Sequence, residues 1–449
     1  VPGTENQSLN ILLVNSRQDP AGLLIRDQLK ELLPCLGPEP VTIAGHRISH
    51  REFGERLIYA DRFDSGTDAD LILFLSRHSS ENPVPVLTTH VRGNFRDAML
   101  GGKKGALAPA APPVMQAVLR ALKRNAPAGY RVAYEVTHHG PTELGIPSCF
   151  VEIGSMETEW RDPAAGKAVA QSVLEAIGSI PQDAVPMIGF GGTHYATRET
   201  EIALATRGAF GHIAHTREVP MLGEAMIRLM AERTGAVAAY IDKKALPAPE
   251  VSRIGAILQD AGLLLMSESE IGNLGTLSWD GYRRIIRKAA EADPGARVHI
   301  GRMEDCGEPY FIEFSPDLLE EVVKTDSAAL VSGLSELPLV HLSTPKRRVL
   351  PLFIACGGST GQFINALITL CVKLIREKKT AAIERDHLII REVRFDPEKA
   401  QNLGLSRGPL FSRLAGGQPV EHEGRVITPE MVQSCSERRI HIPGLERYQ

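Results

Sequence analysis

At 449 residues the chain exceeds one ordinary domain, and 43% hydrophobic with 23% charged residues is the balance of a soluble globular protein. No apolar run approaches the roughly 20 residues that cross a bilayer, and the first one, Ile-Leu-Leu-Val at 11–14, is too short for a signal-peptide core, so a cytoplasmic location is expected. Six scattered cysteines form no C-x-x-C pair, which argues against a disulfide framework and a thiolate zinc site, and a formal net charge of −4 alone gives no reason to expect nucleic acid.

The pattern reads as strand at 10–15, helix at 21–33 ending at Pro34, and a continuous apolar strand at 70–75 of the kind covered on both faces of a parallel sheet. Ser76-Arg77-His78-Ser79-Ser80 follows at the carboxyl end of that strand, where open α/β sheets place ligands. A strand at 86–90 ends in His90. Residues 101–113, rich in Gly, Ala and Pro with Lys103-Lys104, read as a mobile flap. Helix at 114–124, strand at 130–137, helix at 164–177, strand at 185–190, helices at 199–208 and 222–233, strand at 236–241 and helix at 251–261 complete an alternating α/β domain up to about Leu265.

Beyond it the signal changes. Helix is expected at 279–292 and 316–323, strand character at 297–314, a strong strand at 349–356, helix at 362–378, strand at 387–395, and a loop-rich tail from Asp396. From Val331 onward 17 Lys/Arg stand against 12 Asp/Glu, a basic tail compatible with an RNA partner. Residues 266–345 are expected to connect the α/β domain to this basic extension at 346–449.

The chemistry-bearing residues concentrate between Thr137 and His215. His138 and His139 are adjacent, and adjacent residues of an extended segment face opposite ways, so one of them is expected in a site, with a slight preference for His138. Glu152 lies within Cys149-Phe-Val-Glu-Ile. Alternation puts Phe150 and Glu152 on one face, where a carboxylate needs a metal or an arginine partner. Glu157 follows at a strand-to-helix turn. His194 comes after Gly191-Gly192, where glycines let backbone approach a ligand, and His212 and His215 are three apart. Outside this stretch, Gly357-Gly358-Ser359-Thr360-Gly361 matches G-x-S-x-G between a strand and a helix, with Asp386, His387, His422 and His441 downstream. A tight turn ranks first there, phosphate binding second and a serine hydrolase third.

Taken together, Leu75-Ser-Arg-His-Ser-Ser80, Leu87-Thr-Thr-His90, Thr137-His-His-Gly-Pro141, Phe150-Val-Glu-Ile-Gly-Ser155, Trp160, Gly189-Phe-Gly-Gly-Thr-His-Tyr-Ala196 and Phe210-Gly-His-Ile213 resemble the D-aminoacyl-tRNA deacylases of the archaeal and plant type. The likeness covers residues 1 to about 265, and Leu87-Thr-Thr-His90 departs from the Thr-Val-His of that family. It implies hydrolysis of the ester in D-aminoacyl-tRNA, and of glycine mischarged on tRNA, by a zinc-dependent monomer with no DNA or membrane partner. The implied fold is a three-layer α/β sandwich with a mixed, mostly parallel sheet, related to peptidyl-tRNA hydrolases and nucleoside phosphorylases, plus a smaller α+β C-terminal region. Zinc would be held by a subset of His138, Glu152, His194 and His212. Glu157 or His90 would move the proton, and Arg77 or N–H groups near Gly191 and Gly192 would hold the oxyanion. Thr137 is a further catalytic candidate, and Ser76 and His78 would bind substrate. The segment from Gly408 to Glu430 resembles part of ribonuclease Z without its metal-binding histidines, so tRNA handling rather than nuclease activity is expected there. A non-catalytic tRNA-binding protein is the remaining alternative.

Overall fold

A computed structural model describes residues 8–61, 63–64, 66–80, 83–304, 307–443 and 445. The chain divides into two compact units, Val1–Gly272 and Asn273–Gln449.

The first unit is built in the order β1 (Asn10–Ser16), α1 (Pro20–Leu32), β2 (Val41–Ile43), β3 (His46–Phe53), β4 (Leu71–Arg77), β5 (Val86–His90), α2 (Pro112–Asn125), β6 (Arg131–Tyr134), β7 (Ser148–Gly154), α3 (Glu157–Trp160) and α4 (Pro163–Ile177). It continues with β8 (Val185–Phe190), α5 (Thr197–Ala205), β9 (Gly208–Ala214), α6 (Glu224–Thr234), β10 (Ala238–Ile241), α7 (Ala248–Asp260), β11 (Leu264–Leu265) and α8 (Glu268–Gly272). A seven-stranded sheet runs β2-β3-β1-β4-β7-β5-β6, and a four-stranded parallel sheet runs β11-β10-β8-β9. The larger sheet is mostly parallel; β2 pairs antiparallel with β3, and β5 antiparallel with β7. The β2–β3 hairpin carries no strong period-2 apolar signal, since His46, Arg47, His50 and Arg51 interrupt it, and the sequence gives no warning of it.

The strands of the larger sheet are continuous apolar runs because helices cover them. Ile72, Leu73, Phe74 and Leu75 of β4 are fully buried, and truncating any one to Ala would cost ~2–5 kcal/mol. Helix α2 packs on both β5 and β9, so it is apolar around most of its circumference. Its one buried amide, Gln116 Nε2, donates to carbonyls of the α5–β9 turn at Thr206 and Gly208. Residues 101–113, expected as a mobile flap, are anchored instead. The N–H groups of Asn94, Gly105, Ala108 and Ala110 bond to Ala106, Arg96, Arg92 and Arg233 carbonyls, and Lys103 and Lys104 pair with Glu143 and Asp97.

The second unit comprises α9 (Trp279–Ala292), β12 (Arg297–Ile300), β13 (Pro309–Glu313), α10 (Pro316–Ser335), β14 (Val340–Ser343), β15 (Val349–Cys356), α11 (Thr360–Lys378), β16 (Thr380–Glu384) and β17 (His387–Phe395). Then come α12 (Pro397–Asn402), α13 (Pro409–Ala415), β18 (Val420–His422), β19 (Arg425–Ile427) and β20 (Gln433–His441). One antiparallel sheet runs β12-β14-β15-β13 and another β16-β17-β20. The sequence reading divides 266–345 from 346–449, but β14 and β15 pair across residue 345 and put parts of both segments in one sheet. Helix α10 runs past residue 323 through a kink at Asp326, whose carboxylate accepts the Ala329 N–H and so caps the second half. The tail is less loop-rich than expected: α12, α13 and the β18–β19 hairpin share a small core of Ala400, Leu405, Leu414, Val420, Ile427 and Val432.

The G-x-S-x-G turn is a helix start. Ser359 accepts the Gln362 N–H while Gln362 reaches back to the Ser359 N–H, a reciprocal capping box. Asp386 instead pairs with His387 and His441, each at 2.7 Å. Among the described residues no helix is long and apolar enough to cross a membrane.

Candidate active site

The site begins with side-chain parity in three adjacent strands. Ser76 of β4 lies opposite Glu152 of β7, and Glu152 opposite Thr88 of β5; two residues along, Phe74, Phe150 and His90 are likewise in register. Side chains in register share a sheet face. Ser76 donates to Glu152 Oε1, and the Phe150 ring stacks on Phe74 and on His90. The His78 N–H bonds to the Ile153 carbonyl, which prolongs the β4–β7 pairing and sets His78 beside Glu152. A Cβ on Gly154 would lie 2.7 Å from the His78 ring, so glycine at that position is what admits the imidazole.

The segment after β6 closes the site. The N–H groups of Glu135, Val136 and Thr137 bond in turn to the carbonyls of Thr89, His194 and Ile213, so three consecutive residues tie β5, the turn after β8, and β9 together. Gly191 and Gly192 have φ of +111° and +83°, a backbone that favours glycine and turns His194 back toward Glu135.

The centre of the result is Glu135. His194 Nε2 stands 2.9 Å from Oε2, His78 Nδ1 3.2 Å from Oε1, and His138 Nε2 3.5 Å from Oε2. No N–H is aligned on either oxygen, and both are buried without a hydrogen bond among the described residues. Beside them His90 and His139 approach Nε2 to Nε2 at 3.2 Å, and the His90 and His138 rings stack at 4.5 Å.

Burial alone would depress His78, but the negative charges of Glu135 and Glu152 beside it carry it up to about 11. Burial would raise Glu135; the histidines, His78 foremost, hold it well below the usual carboxylate range. Burial, against the His78 bond and with help from Glu135, raises Glu152 to about 7. Burial lowers His138 to about 4 and holds His90 and His139 well below the ordinary value. These three rings are therefore neutral lone-pair donors at pH 7. His138 Nδ1 is spent on the Val136 carbonyl and His139 Nδ1 on the Gly140 carbonyl, which turns each Nε2 inward as an acceptor. The His138 Nε2 acceptor facing Glu135 Oε2, with His194 beside it and no hydrogen bond aligned on that oxygen, suits a bound cation. Three sets have donor atoms close enough to share one: His78, Glu135 and His194; His90, His138 and His139; and His90, Glu135 and Glu152.

Two cavities meet at this cluster. One, of about 360 Å³, is bordered by Ser76, Arg77, His78, Glu152, Trp160 and His194 as well as His138 and His139. The other, of about 330 Å³, is bordered by Phe95, Met99, Thr137 and Glu218, and again by His138 and His139; Leu100 lines both. At the first rim the Arg77 guanidinium lies 4.9 Å from the centre of the Trp160 ring, whose Nε1 donates to the His78 carbonyl at 2.8 Å.

The structure thus brings together Ser76, Arg77, His78, His90, His138, Glu152 and His194. It sets four expected residues aside. His212 is buried with Nδ1 on Thr137 Oγ1 at 3.0 Å and Nε2 on the Ala108 carbonyl at 2.9 Å, so neither nitrogen is left for a metal. Thr137 Oγ1 also accepts the Ile213 N–H, which makes this hydroxyl a latch on β9. Glu157 is exposed and paired with Arg161 at 2.8 Å, on the solvent side of α3. The Gly191 N–H is committed to the Ala214 carbonyl and is not an oxyanion donor. Sequence reasoning missed Glu135 altogether and chose between His138 and His139 where both line the site. The signal for Glu135 was the one used for Glu152, a lone carboxylate in an apolar strand, here Val132-Ala-Tyr-Glu-Val. For the histidines, a φ of +48° at His139 breaks the alternation that would separate neighbouring rings.

Fold and site together define a mixed α/β protein with a buried histidine–carboxylate centre at the mouth of two cavities. A family model for D-aminoacyl-tRNA deacylase matches residues 65–266. A D-aminoacyl-tRNA deacylase of Methanoculleus marisnigri is 50% identical over 98% of this chain and 100% of its own length. That of Halobacterium salinarum is 31% identical over 97% and 96%. The crystal structure of a conserved protein of unknown function is 34% identical, with a TM-score of 0.54, and covers 59% of this chain and 98% of its own. The chain belongs to the D-aminoacyl-tRNA deacylase family, and the curated relatives extend through its second unit.

Proposed function

We propose that this chain hydrolyses the ester between a D-amino acid and the terminal ribose of tRNA, in the cytoplasm, at the Glu135 cluster. The observation that carries the reading is Glu135 itself: a buried carboxylate with both oxygens unbonded, ringed by His78, His138 and His194 beside an open cavity. A charge is not kept out of water in this way for stability alone.

Glu135 and His194, with His78 once it has given up its proton, are the residues that would hold zinc. When bound, the ion supplies Lewis acidity and lowers the pKa of a water molecule. His138, neutral and turned inward through Nε2, takes the proton of the attacking water. Glu152, whose carboxyl burial pushes up toward the protonated form and which is bonded to Ser76, returns a proton to the departing ribose oxygen. Arg77 stacked on Trp160 offers a flat, cationic platform for the terminal adenine, because bases stack on aromatic and guanidinium planes. Glycine mischarged on tRNA, lacking a side chain, fits the same path. The three-layer relation to peptidyl-tRNA hydrolases belongs to this reading, as does a tRNA-handling role for the basic stretch at 346–449.

The test is deacylation of D-tyrosyl-tRNA against L-tyrosyl-tRNA, before and after chelation and with zinc restored. D-selective hydrolysis that chelation removes and zinc restores is the expected result. D-selective hydrolysis indifferent to chelation would leave the reaction and discard the metal; hydrolysis of neither would discard both.

A further inference from the structure

An aminoacyl ester has three features to hold besides its scissile bond: the nucleoside on one side and, on the other, a side chain and an α-ammonium group. The two cavities differ in the way these halves do. The first carries Arg56, Arg77 and the Trp160 platform, which suit a nucleotide. The second carries Phe95, Met99 and Leu100 as an apolar wall and Glu218 as an acid. Glu218 follows β9 in a turn fixed by its own N–H bond to the His215 carbonyl at 2.8 Å. Its Oε2 is buried and has no hydrogen-bond partner among the described residues. The other charges there are occupied: Asp97 pairs with Lys104 at 3.0 Å, and Arg96 turns to the Met221 sulfur.

We infer that the second cavity receives the amino-acid half of the substrate and that Glu218 binds its α-ammonium group. This rests on the deacylase reading and deepens it. A desolvated carboxylate oxygen without a partner is costly, and an ammonium N–H satisfies it with a charge-assisted bond. With the ester carbonyl at His138 and His139 and the ammonium at Glu218, the substituents of the α-carbon have fixed places. Only one hand then sends its side chain along the Phe95–Met99–Leu100 wall. Glu218 is a substrate-binding residue in this scheme and takes no part in proton transfer.

The experiment compares D-tyrosyl-tRNA with N-acetyl-D-tyrosyl-tRNA, which has no α-ammonium charge, in the full-length wild type and in Glu218→Gln. The wild type is expected to prefer the free amine, and the variant to lose ~10- to 100-fold of that preference in kcat/KM, the span of a charge-assisted bond. A preference unchanged by Glu218→Gln overturns the inference while leaving the deacylase reading intact. Absence of wild-type hydrolysis of both substrates overturns the deacylase reading and this one with it. Should Glu218→Gln not fold, inhibition of the wild type decides. D-tyrosinamide is expected to compete at least about tenfold more tightly than its N-acetyl derivative; equal inhibition overturns the inference.

Discussion

Glu135 in the first unit and Glu321 in the second are both removed from water, at 1% and 2% exposure, yet their surroundings are opposite. Glu321 sits on α10 and accepts Lys379 Nζ at 2.8 Å and an Arg438 N–H at 2.6 Å, one cation for each oxygen. Those bonds tie α10 to the end of α11 and to β20. Glu135 has histidine nitrogens close by and no aligned donor. A buried carboxylate whose lone pairs are filled by fixed, aligned cations is a structural tie; one ringed by imidazoles with no hydrogen bond aligned on it is a receptor. The contrast separates function from architecture more cleanly than burial does.

Exchanging Glu135 for Gln tests the receptor side and should have the largest effect. Deacylation of D-tyrosyl-tRNA is expected to fall by about a thousandfold, bound metal to be lost, and thermal stability to be retained. A variant that kept near-wild-type turnover would place the chemistry elsewhere. His194→Ala should likewise lower metal content, measured by elemental analysis. His212→Asn is expected to keep its metal and instead lose ~1–2 kcal/mol of stability through the freed Thr137 and Ala108 groups.

Glu321→Ala tests the structural side. Unfolding of the second unit should be easier by ~1–3 kcal/mol and no more, because Arg438 is partly solvated and Lys379 keeps its pairing with Glu392. Ser359→Ala should cost ~1 kcal/mol as a lost cap, with deacylation unchanged; loss of activity there would revive the serine-hydrolase alternative.

The smallest effect is one of pH. His50 in β3 bonds to Asn15 at 2.7 Å, and burial, reinforced by the charge of Lys30, lowers it from 6.5 to about 4. The unfolded chain thus binds this proton more tightly than the folded one. The His50 contribution is complete above pH 6.5 and is lost as pH falls toward 4. A His50→Asn variant should show a flatter melting-temperature profile across that window; parallel profiles would remove His50 from the acid response.

Much of this was legible because the relevant physics is local. Continuous apolar runs gave β4, β8 and β15 nearly to the residue, and parity placed Phe150 and Glu152 on one face. What was not legible depends on distant partners. His212 is as histidine-like in sequence as His194, and only the Ala108 carbonyl and Thr137 hydroxyl show that its nitrogens are taken. Glu157 adjoins the motif, but helix α3 turns it to solvent. The β2–β3 hairpin is written in histidine and arginine, so no periodicity announces it.

The pairing of β14 with β15 dictates where this gene can be cut. Ending the chain at residue 345 removes β15, whose Ile354 and Phe353 lie opposite Val340 and His341. The remnant would display a bare strand edge and an uncovered apolar face, the usual seed of aggregation. Independent expression of the two halves therefore calls for a break after Gly272, the point at which the compact units part.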